Sequence, residues 1–524
     1  MMNLTFNNKT INDETIRQAA SQLQAAGLTQ PPTARAATTQ KSQSQSNHEQ
    51  LINLLNRITY GFSESELALA EQLGFDGYLN YQLSPETMNT SNVEALLHQV
   101  FPSLSMSYEE IIDRSRTDND FIPSFELIAA TLIRAAYQPS QLYEIMVEFW
   151  SNHFNVNLFD GPIQVLKVID DRDNIRPHAL GKFRDLLHAN AKSPAMLIYL
   201  DGYTNTADGP NENYARELME LHTLGVNGGF NEDDVKEVAR CFTGWTLFEQ
   251  ADDLFYFYAP NHDTGTKTVL GQGIPAGGGI EDGETVLDIL AAHPSTAHFI
   301  ATKLCRRFIS DAPPKEAIDA VSETFQQTDG DIRAMLITLF STDAFGQSTQ
   351  AKFKRPVEYV LSLFRSLPQT TTGRPFEFLY RQVNNLGQLP FSYPAPTGFS
   401  DVSSAWLNTN ALLDRWNLGF ALAYGDLNPG RNVDDNNPQQ AVAGDFLAIQ
   451  MTAVIGDART PAAITDLIIH RLLHRKLSSK DRDALIELAG GEFASTQPLP
   501  LDLAVDAART VLAALLASRH FQQR

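Results

Sequence analysis

Apolar residues recur at steps of three and four along most of this chain, and that spacing commits it to helices. Leu51, Leu54, Leu55 and Ile58 share one face, as do Val235, Val238, Ala239 and Phe242, and again Ala297, Ile300, Leu304 and Phe308. The starts of these stripes carry capping chemistry. Ser63-Glu64-Ser65-Glu66 has the hydroxyl and the glutamate three residues later that satisfy first-turn amides. Asn231 precedes Glu232, Asp233 and Asp234, acids placed where the helix dipole is positive. Pro294 suits a first helical position, and Arg306-Arg307 suit the end of the same helix. Pro139 divides one helix over 124–137 from another over 140–152, and a further helix is expected over 178–190 with Leu180, Phe183, Leu186 and Leu187 on one stripe.

One segment reads differently. Leu254 to Tyr258 is rich in aromatics, 261–265 reads as a turn, and Thr266 to Leu270 is expected to pair back as a short hairpin. The glycines over 271–283 are expected to form a flexible loop. The fold class is therefore mainly α: a large multi-helix domain with a short β-hairpin.

At 524 residues the chain exceeds one small core. A short helix is expected over 13–26, followed by a Thr-, Gln-, Ser- and Ala-rich linker over 28–48 that cannot bury enough apolar surface to order itself. Residues 1–48 thus read as a disordered extension and linker, 49–424 as the main helical domain, and 425–524 as a C-terminal helical subdomain packed on it. Segments 303–346 and 471–521 share a plan of helix, polar cap, helix and third helix ending in a small residue and Phe. Two copies indicate a duplicated helical unit at the C-terminal side. Between them, 389–404 is a proline-rich loop and 425–441 a polar connection.

Net charge is −22 and the isoelectric point about 4.9. Such a chain does not bind nucleic acid or anionic membrane by broad electrostatics. Cys241 and Cys305 fall in apolar helical patterns and read as small buried hydrophobes; sequence leaves open whether they pair. No stretch approaches the apolar length of a membrane span. The first twenty residues lack a basic region, an apolar region and a small-residue cleavage site, which makes the cytoplasm the expected location.

The chemistry concentrates in 211–247, NENYARELMELHTLGVNGGFNEDDVKEVARCFTGWTL. On a regular helix from Asn213, that residue, Glu217 and Glu220 project to one side with Arg216 adjacent, and His222 projects to the other. The i,i+4 histidine pair of a zincin is missing. On the 140–152 helix Gln141, Glu144, Glu148 and Asn152 share a face, and His153 lies opposite with Trp150. If the two polar faces met, four carboxylates would gather. They lack the Glu-x-x-His pairs of a di-iron bundle, leaving a divalent cation on oxygen ligands as the cofactor to consider, with Glu148, His153 and Glu217 as its ligand set. Two basic groups stand out: Arg172, Arg176, His178, Lys182 and Arg184, and Lys352, Lys354 and Arg355. They either pair with the chain's excess acid or line an anion pocket. His262-Asp263 sits on a glycine-containing turn, where a general acid or base could face a cleft and where an Asp side chain could equally stabilise the turn. No G-x-S-x-G, P-loop or dinucleotide fingerprint is present.

The runs FWSNHFNV (149–156), IRPHALGKFRDLL (175–187), NENYARELMELHTLG (211–225), FTGWT (242–246), HDTGTKTVLG (262–271), HPSTAHFIATKLCRRF (293–308) and KRPVEYV (354–360) are collinear with the bacterial family called domain of unknown function 1800 (DUF1800). The segment from about 140 to 420 resembles that family. The resemblance implies a mostly helical protein with no assigned activity. It also implies, as a partner, a member of domain of unknown function 1501 (DUF1501), which resembles the sulfatase and alkaline phosphatase fold. Many members look exported behind a twin-arginine type leader, a pattern not found in the first residues here.

Two functions are expected from this reading. One is an enzyme acting on an anionic or polyhydroxylated substrate by acid–base chemistry. Glu217 or Glu220 would be its base, His153, His222, or His262 with Asp263, the acid or ligand. Arg172, Arg176, His178, Asn213 and Arg216 would be its substrate contacts. The other is a non-catalytic scaffold or maturation partner of the DUF1501-like protein. Both rest on the charged sides of neighbouring helices turning inward.

Overall fold

The computed structural model describes residues 13–26, 45–117, 121–248, 254–367, 375–425 and 449–524. Helices dominate, and the only sheets among these residues are two antiparallel two-strand ribbons. The helix Ile122–Tyr137 is apolar nearly all round and buried nearly all round, as a helix at the centre of a large protein must be. The helices Gln141–His153, Ile163–Ile169 and Pro356–Ser366 surround it. Ser63 caps its helix through Glu66, and Asn231 does so through Asp234. Both capping boxes were legible from the sequence.

The helix at the N-terminal side is Asp13–Ala25, and its Ile16, Ala19, Ala20 and Leu23 are buried in the core. This stretch of the 1–48 segment is packed structure. The linker expected over 28–48 lies outside the described residues up to 44, and 45–48 already belong to the helix Gln45–Ile58. The polar connection at 425–441 also lies outside them beyond residue 425.

Both copies of the duplicated unit fold alike. The first runs Pro294–Phe308, Lys315–Gln327, Ile332–Phe340 and a turn at Asp343–Gly346. The second runs Pro461–Leu473, Ser479–Gly490, Leu501–Ala517 and a turn at Arg519–Gln522. Hydroxyls of Thr342 and Ser518 cap the closing turns, and Phe345 and Phe521 are buried from them. The second copy also packs on the helix Thr409–Tyr424.

Three local expectations are corrected. The hairpin pairing differs: Phe255–Phe257 pairs with Trp245–Leu247, and Lys267–Val269 pairs with Gln272–Ile274. Leu270 and Gly271, at φ 50° and 76°, make a tight turn of the kind whose twist matches a hairpin. That nearby turn holds Lys267–Val269 against its immediate successor, and Gly271 is part of it, not of a flexible loop. The helix expected over 178–190 begins at Phe183, because Asp170–Ile175 is a π-turn and Arg176–His178 a 3₁₀ turn. The helix from Asn213 is regular only to Glu217; Leu218–His222 is a second π-turn. There Leu224 N donates to Met219 O at 2.9 Å, five residues back, and Thr223 Oγ1 donates to Leu218 O at 2.7 Å.

Candidate functional site

Pro139 ends the central helix, and Gln141 ties the break closed. Its Nε2 donates to Ala135 O and Gln138 O, and its Oε1 accepts from Tyr60 N at 3.0 Å. The helix that follows carries Glu144, Val147, Glu148, Ser151 and Asn152 on one face, at helical spacing. That face forms one wall of a pocket. Tyr60, Val357, Gln388, Pro390, Phe391 and Phe399 supply much of the rest. The pocket encloses about 560 Å³ of empty space, counting the part open to solvent.

The proline-rich loop is seated on this helix by two asparagines. Asn152 accepts from Phe399 N at 2.6 Å and donates to Phe399 O at 2.7 Å, and Asn155 donates to Tyr393 O and Ala395 O. Gly398 between them adopts φ 68° and lies so close to the Asn152 carbonyl that no Cβ would fit. Tyr199 fixes the loop from the far side through Pro394 O at 2.8 Å.

Behind the wall lies a buried charge cluster. Arg355 donates to both oxygens of Glu148, at 2.9 and 2.8 Å, and Arg307 reaches Glu148 at 3.3 Å. Glu358 accepts from Arg307, from Arg355 at 3.0 Å and from Arg524 at 2.7 Å. Asp401 lies 3.4 Å from Arg355 and 3.7 Å from Arg307. Glu144 takes Arg176 at 2.6 Å, and burial still pushes its carboxyl up against the pull of that arginine.

The opposite face of the helix leads to a second group. His153 Nε2 lies 3.0 Å from the His222 carbonyl, so that nitrogen carries the proton and Nδ1 accepts from Lys303 Nζ at 2.8 Å. Burial lowers the Lys303 ammonium to about 8, with Asp401 opposing and Arg306 assisting. His222 is fully buried against Phe154 and His153, and neither ring nitrogen has a hydrogen-bond partner among the described residues. Burial holds it neutral down to about 3. The π-turn sets this geometry, aiming the carbonyl of residue 222 at His153 while its ring enters the core.

The carboxylate faces of 141–153 and 213–222 do not meet. Glu217 and Glu220 are half-buried beside Arg216, and Arg216 takes Glu232 at 2.7 Å and Glu212 at 3.2 Å. Asn213 is exposed and bonds Asp201. Glu148, His153 and Glu217 do not build a cation site. Both Glu148 oxygens are held by Arg355, both His153 nitrogens are engaged, and no three carboxylate, histidine or cysteine groups among the described residues are placed to hold a metal. The first basic group also disperses. Arg172 pairs with Asp173, His178 with the Asn174 carbonyl, Lys182 with Asp329 and Arg184 with Asp288, and Arg176 alone reaches the pocket wall.

His262 and Asp263 do not face a cleft. His262 is buried between the Thr243 carbonyl (2.7 Å) and Asp282 (3.2 Å), and Lys267 also holds Asp282 at 2.6 Å. Asp263 is clamped by Arg240 at 2.7 Å and accepts from Gly265 N, stabilising the turn. Both cysteines are free and buried, and burial pushes both thiols up to about 12.

Replacement of Glu217 by Gln, at this half-exposed position, is expected to change unfolding free energy by no more than about 0.5 kcal/mol. Urea denaturation checks it, and a loss several times larger would return Glu217 to the set of residues that hold the fold. The residues that sequence reasoning passed over are Tyr60, Asn155, Lys303, Gln388, Phe391 and Phe399. Glu144 was legible as the i,i+4 partner of Glu148 on one polar face. Lys303 carried no such mark, because its partner His153 lies 150 residues away.

Among the described residues no helix is long and apolar enough to cross a membrane. No curated protein matches the chain. No solved structure matches it. A family profile described as Protein of unknown function (DUF1800) matches residues 53–523, well beyond the 140–420 segment that carries the visible runs. Spanning nearly all of the helical body, the pocket and the charge cluster behind it, that match makes this chain a member of the DUF1800 family.

Proposed function

We propose that the protein binds a hydroxyl-rich, uncharged small molecule in the pocket beneath the 389–404 loop and acts on it by proton transfer through Glu144. The observation that carries this reading is the composition of the walls. Val147, Val357, Phe391 and Phe399 help make the lining mostly apolar, and Glu144, Glu148, Ser151, Asn152 and Gln388 bring a few polar atoms to it. The C–H faces of a polyol or sugar suit the apolar lining and its rings, and the hydroxyl groups suit the few polar atoms. Among the two substrate classes expected from sequence, this favours the polyhydroxylated over the anionic one, because the arginines sit behind carboxylates and are neutralised by them. A carboxyl pushed up by burial holds a proton more readily than an ordinary one, which suits it to giving and taking a proton.

The test titrates the protein with neutral polyols and sugars and with their sulfated and phosphorylated counterparts, following thermal stability. Neutral ligands are expected to bind, and Phe399→Ala to weaken them about tenfold while leaving the charge cluster intact. For a ligand that is turned over, Glu144→Gln is expected to keep binding and slow turnover by about 10²–10⁴-fold. Binding confined to the charged counterparts, or unchanged in Phe399→Ala, would refute the reading.

A second reading is a non-catalytic scaffold or maturation partner of a sulfatase-like DUF1501 protein. The observation favouring it is that Glu144 and Glu148 are each already paired with a buried arginine, as a rigid framework requires. Stable co-purification of the two proteins, with no small molecule bound in the pocket, would select it.

A further inference from the structure

A second cavity lies on the other side of Glu358, where the helix Gln45–Ile58, the 349–354 segment and the C-terminal unit meet. Asn53, Asn56, Gln350, Lys354, Arg475 and Arg524 are among its lining residues. It encloses about 370 Å³ of empty space counting its open side, less than the pocket beneath the 389–404 loop, so it suits a small ion better than an extended molecule.

Its charge is unbalanced. Lys354 is 7% exposed, and among the described residues its Nζ meets the Ser362 hydroxyl at 3.0 Å and the face of Phe521 at 3.8 Å. Arg475 donates to the His520 carbonyl at 3.3 Å. Neither takes a carboxylate within 4 Å among the described residues. Arg524, 4% exposed, has Glu358, which Arg307 and Arg355 already share. His520 on the rim takes Asp481 at 3.3 Å, and fully buried Arg57 stands behind. Burial lowers Lys354 to about 7, with Arg524 assisting, and lowers Arg524 to about 10.

Buried donors also await partners. Arg524 Nε and Gln350 Nε2 have none among the described residues, and neither does Arg57 Nη1. Gln350 is held at φ 59°, a conformation that a residue with a side chain adopts only where its surroundings enforce it. In a chain of net charge −22, a buried excess of cations with idle N–H groups calls for an anion from outside. A tetrahedral oxyanion brings both the charge and several acceptor oxygens.

We infer that this cavity is a binding site for a small tetrahedral oxyanion, inorganic phosphate or the phosphoryl head of a small ester, held by Lys354, Arg475, Arg524 and Gln350. The site is separate from the pocket of the proposed function and does not rest on it. The experiment titrates the full chain with inorganic phosphate at constant ionic strength set by chloride, by calorimetry and by thermal melting. Saturable binding with a rise in Tm is expected. Lys354→Met and Arg475→Gln are each expected to weaken it at least tenfold. In the absence of phosphate, Lys354→Met is expected to melt no lower than wild type, because a repulsion is removed. Glycerol phosphate as a second probe separates the sources: affinity above that of inorganic phosphate assigns the site to an ester head, and affinity below it to the free ion. Absence of saturable binding, or unchanged affinity in both variants, would overturn the assignment. Should Lys354→Met not fold, Arg475→Gln at the half-buried rim gives the same decision.

Discussion

Replacing Glu358 by Ala is expected to lower the unfolding free energy by about 3–5 kcal/mol, the cost of removing one partner from a buried ion cluster. The side chain is 2% exposed and accepts from Arg307, Arg355 and Arg524, all nearly or fully buried. Without it three guanidinium groups face one another around a vacated space, and among the described residues Glu148 and Asp401 remain to offset them. The wild-type protein should carry the matching pH signature. Burial alone would raise the Glu358 carboxyl, but Arg524, Arg355 and Arg307 outweigh it and hold the group well below its ordinary value of 4.5. A carboxyl depressed on folding contributes stability that is complete above the unfolded value and is lost as pH falls below it. The acid limb below about pH 4.5 should therefore be shallower in Glu358→Ala than in wild type. Urea denaturation from pH 3 to 7 measures both effects. A loss under about 1 kcal/mol, with parallel acid limbs, would show that the arginines find other partners.

Gly398→Ala should undock the loop that covers the pocket. A residue with a side chain at φ 68° carries a penalty of about 1–2 kcal/mol. Its Cβ would also overlap the Asn152 carbonyl oxygen. Relief by lifting the loop breaks the two Asn152–Phe399 bonds, at about 1 kcal/mol each. Opening breaks those bonds in wild type too, so the variant's docked loop is weakened by at least the φ penalty of about 1–2 kcal/mol, enough to lower hydrogen-exchange protection of the Phe399 amide by about tenfold or more. The effect is local, so the charge cluster and overall melting should change much less. Retained protection at Phe399 in the variant would mean that the helix end, and not the loop, gives way.

These two expectations mark what the sequence could and could not reveal. The helices were legible because each is specified within a dozen residues by a stripe and its caps, as at Ser63, Asn231 and Pro294. The duplicated unit was legible because Phe345 and Phe521 close the same local pattern. The ribbon pairing was misread because two neighbouring partners competed for Phe255–Phe257 and Lys267–Val269, and a Leu-Gly turn decided between them. The polar face of 141–153 was read correctly as turned inward. Its company was not, because the arginines that meet it come from residues 176, 307 and 355, and nothing in the spacing of Glu144 and Glu148 points to them. Glu217 and Glu220 misled for the complementary reason. Their density of charge was satisfied by Arg216 and its neighbours at the surface, and the π-turn that follows them left its trace only in hydrogen bonds five residues apart.

The charge cluster has a consequence for how the chain is made. It draws its members from residues 148, 307, 355, 358, 401 and 524. A nascent polypeptide leaving the ribosome therefore holds Glu148 without the arginines that later surround it until residues 307 to 355 have been made. Closure of the interior must wait for residues 355 to 524 to be made, and the intermediate that lacks them is a stage exposed to aggregation and dependent on chaperones.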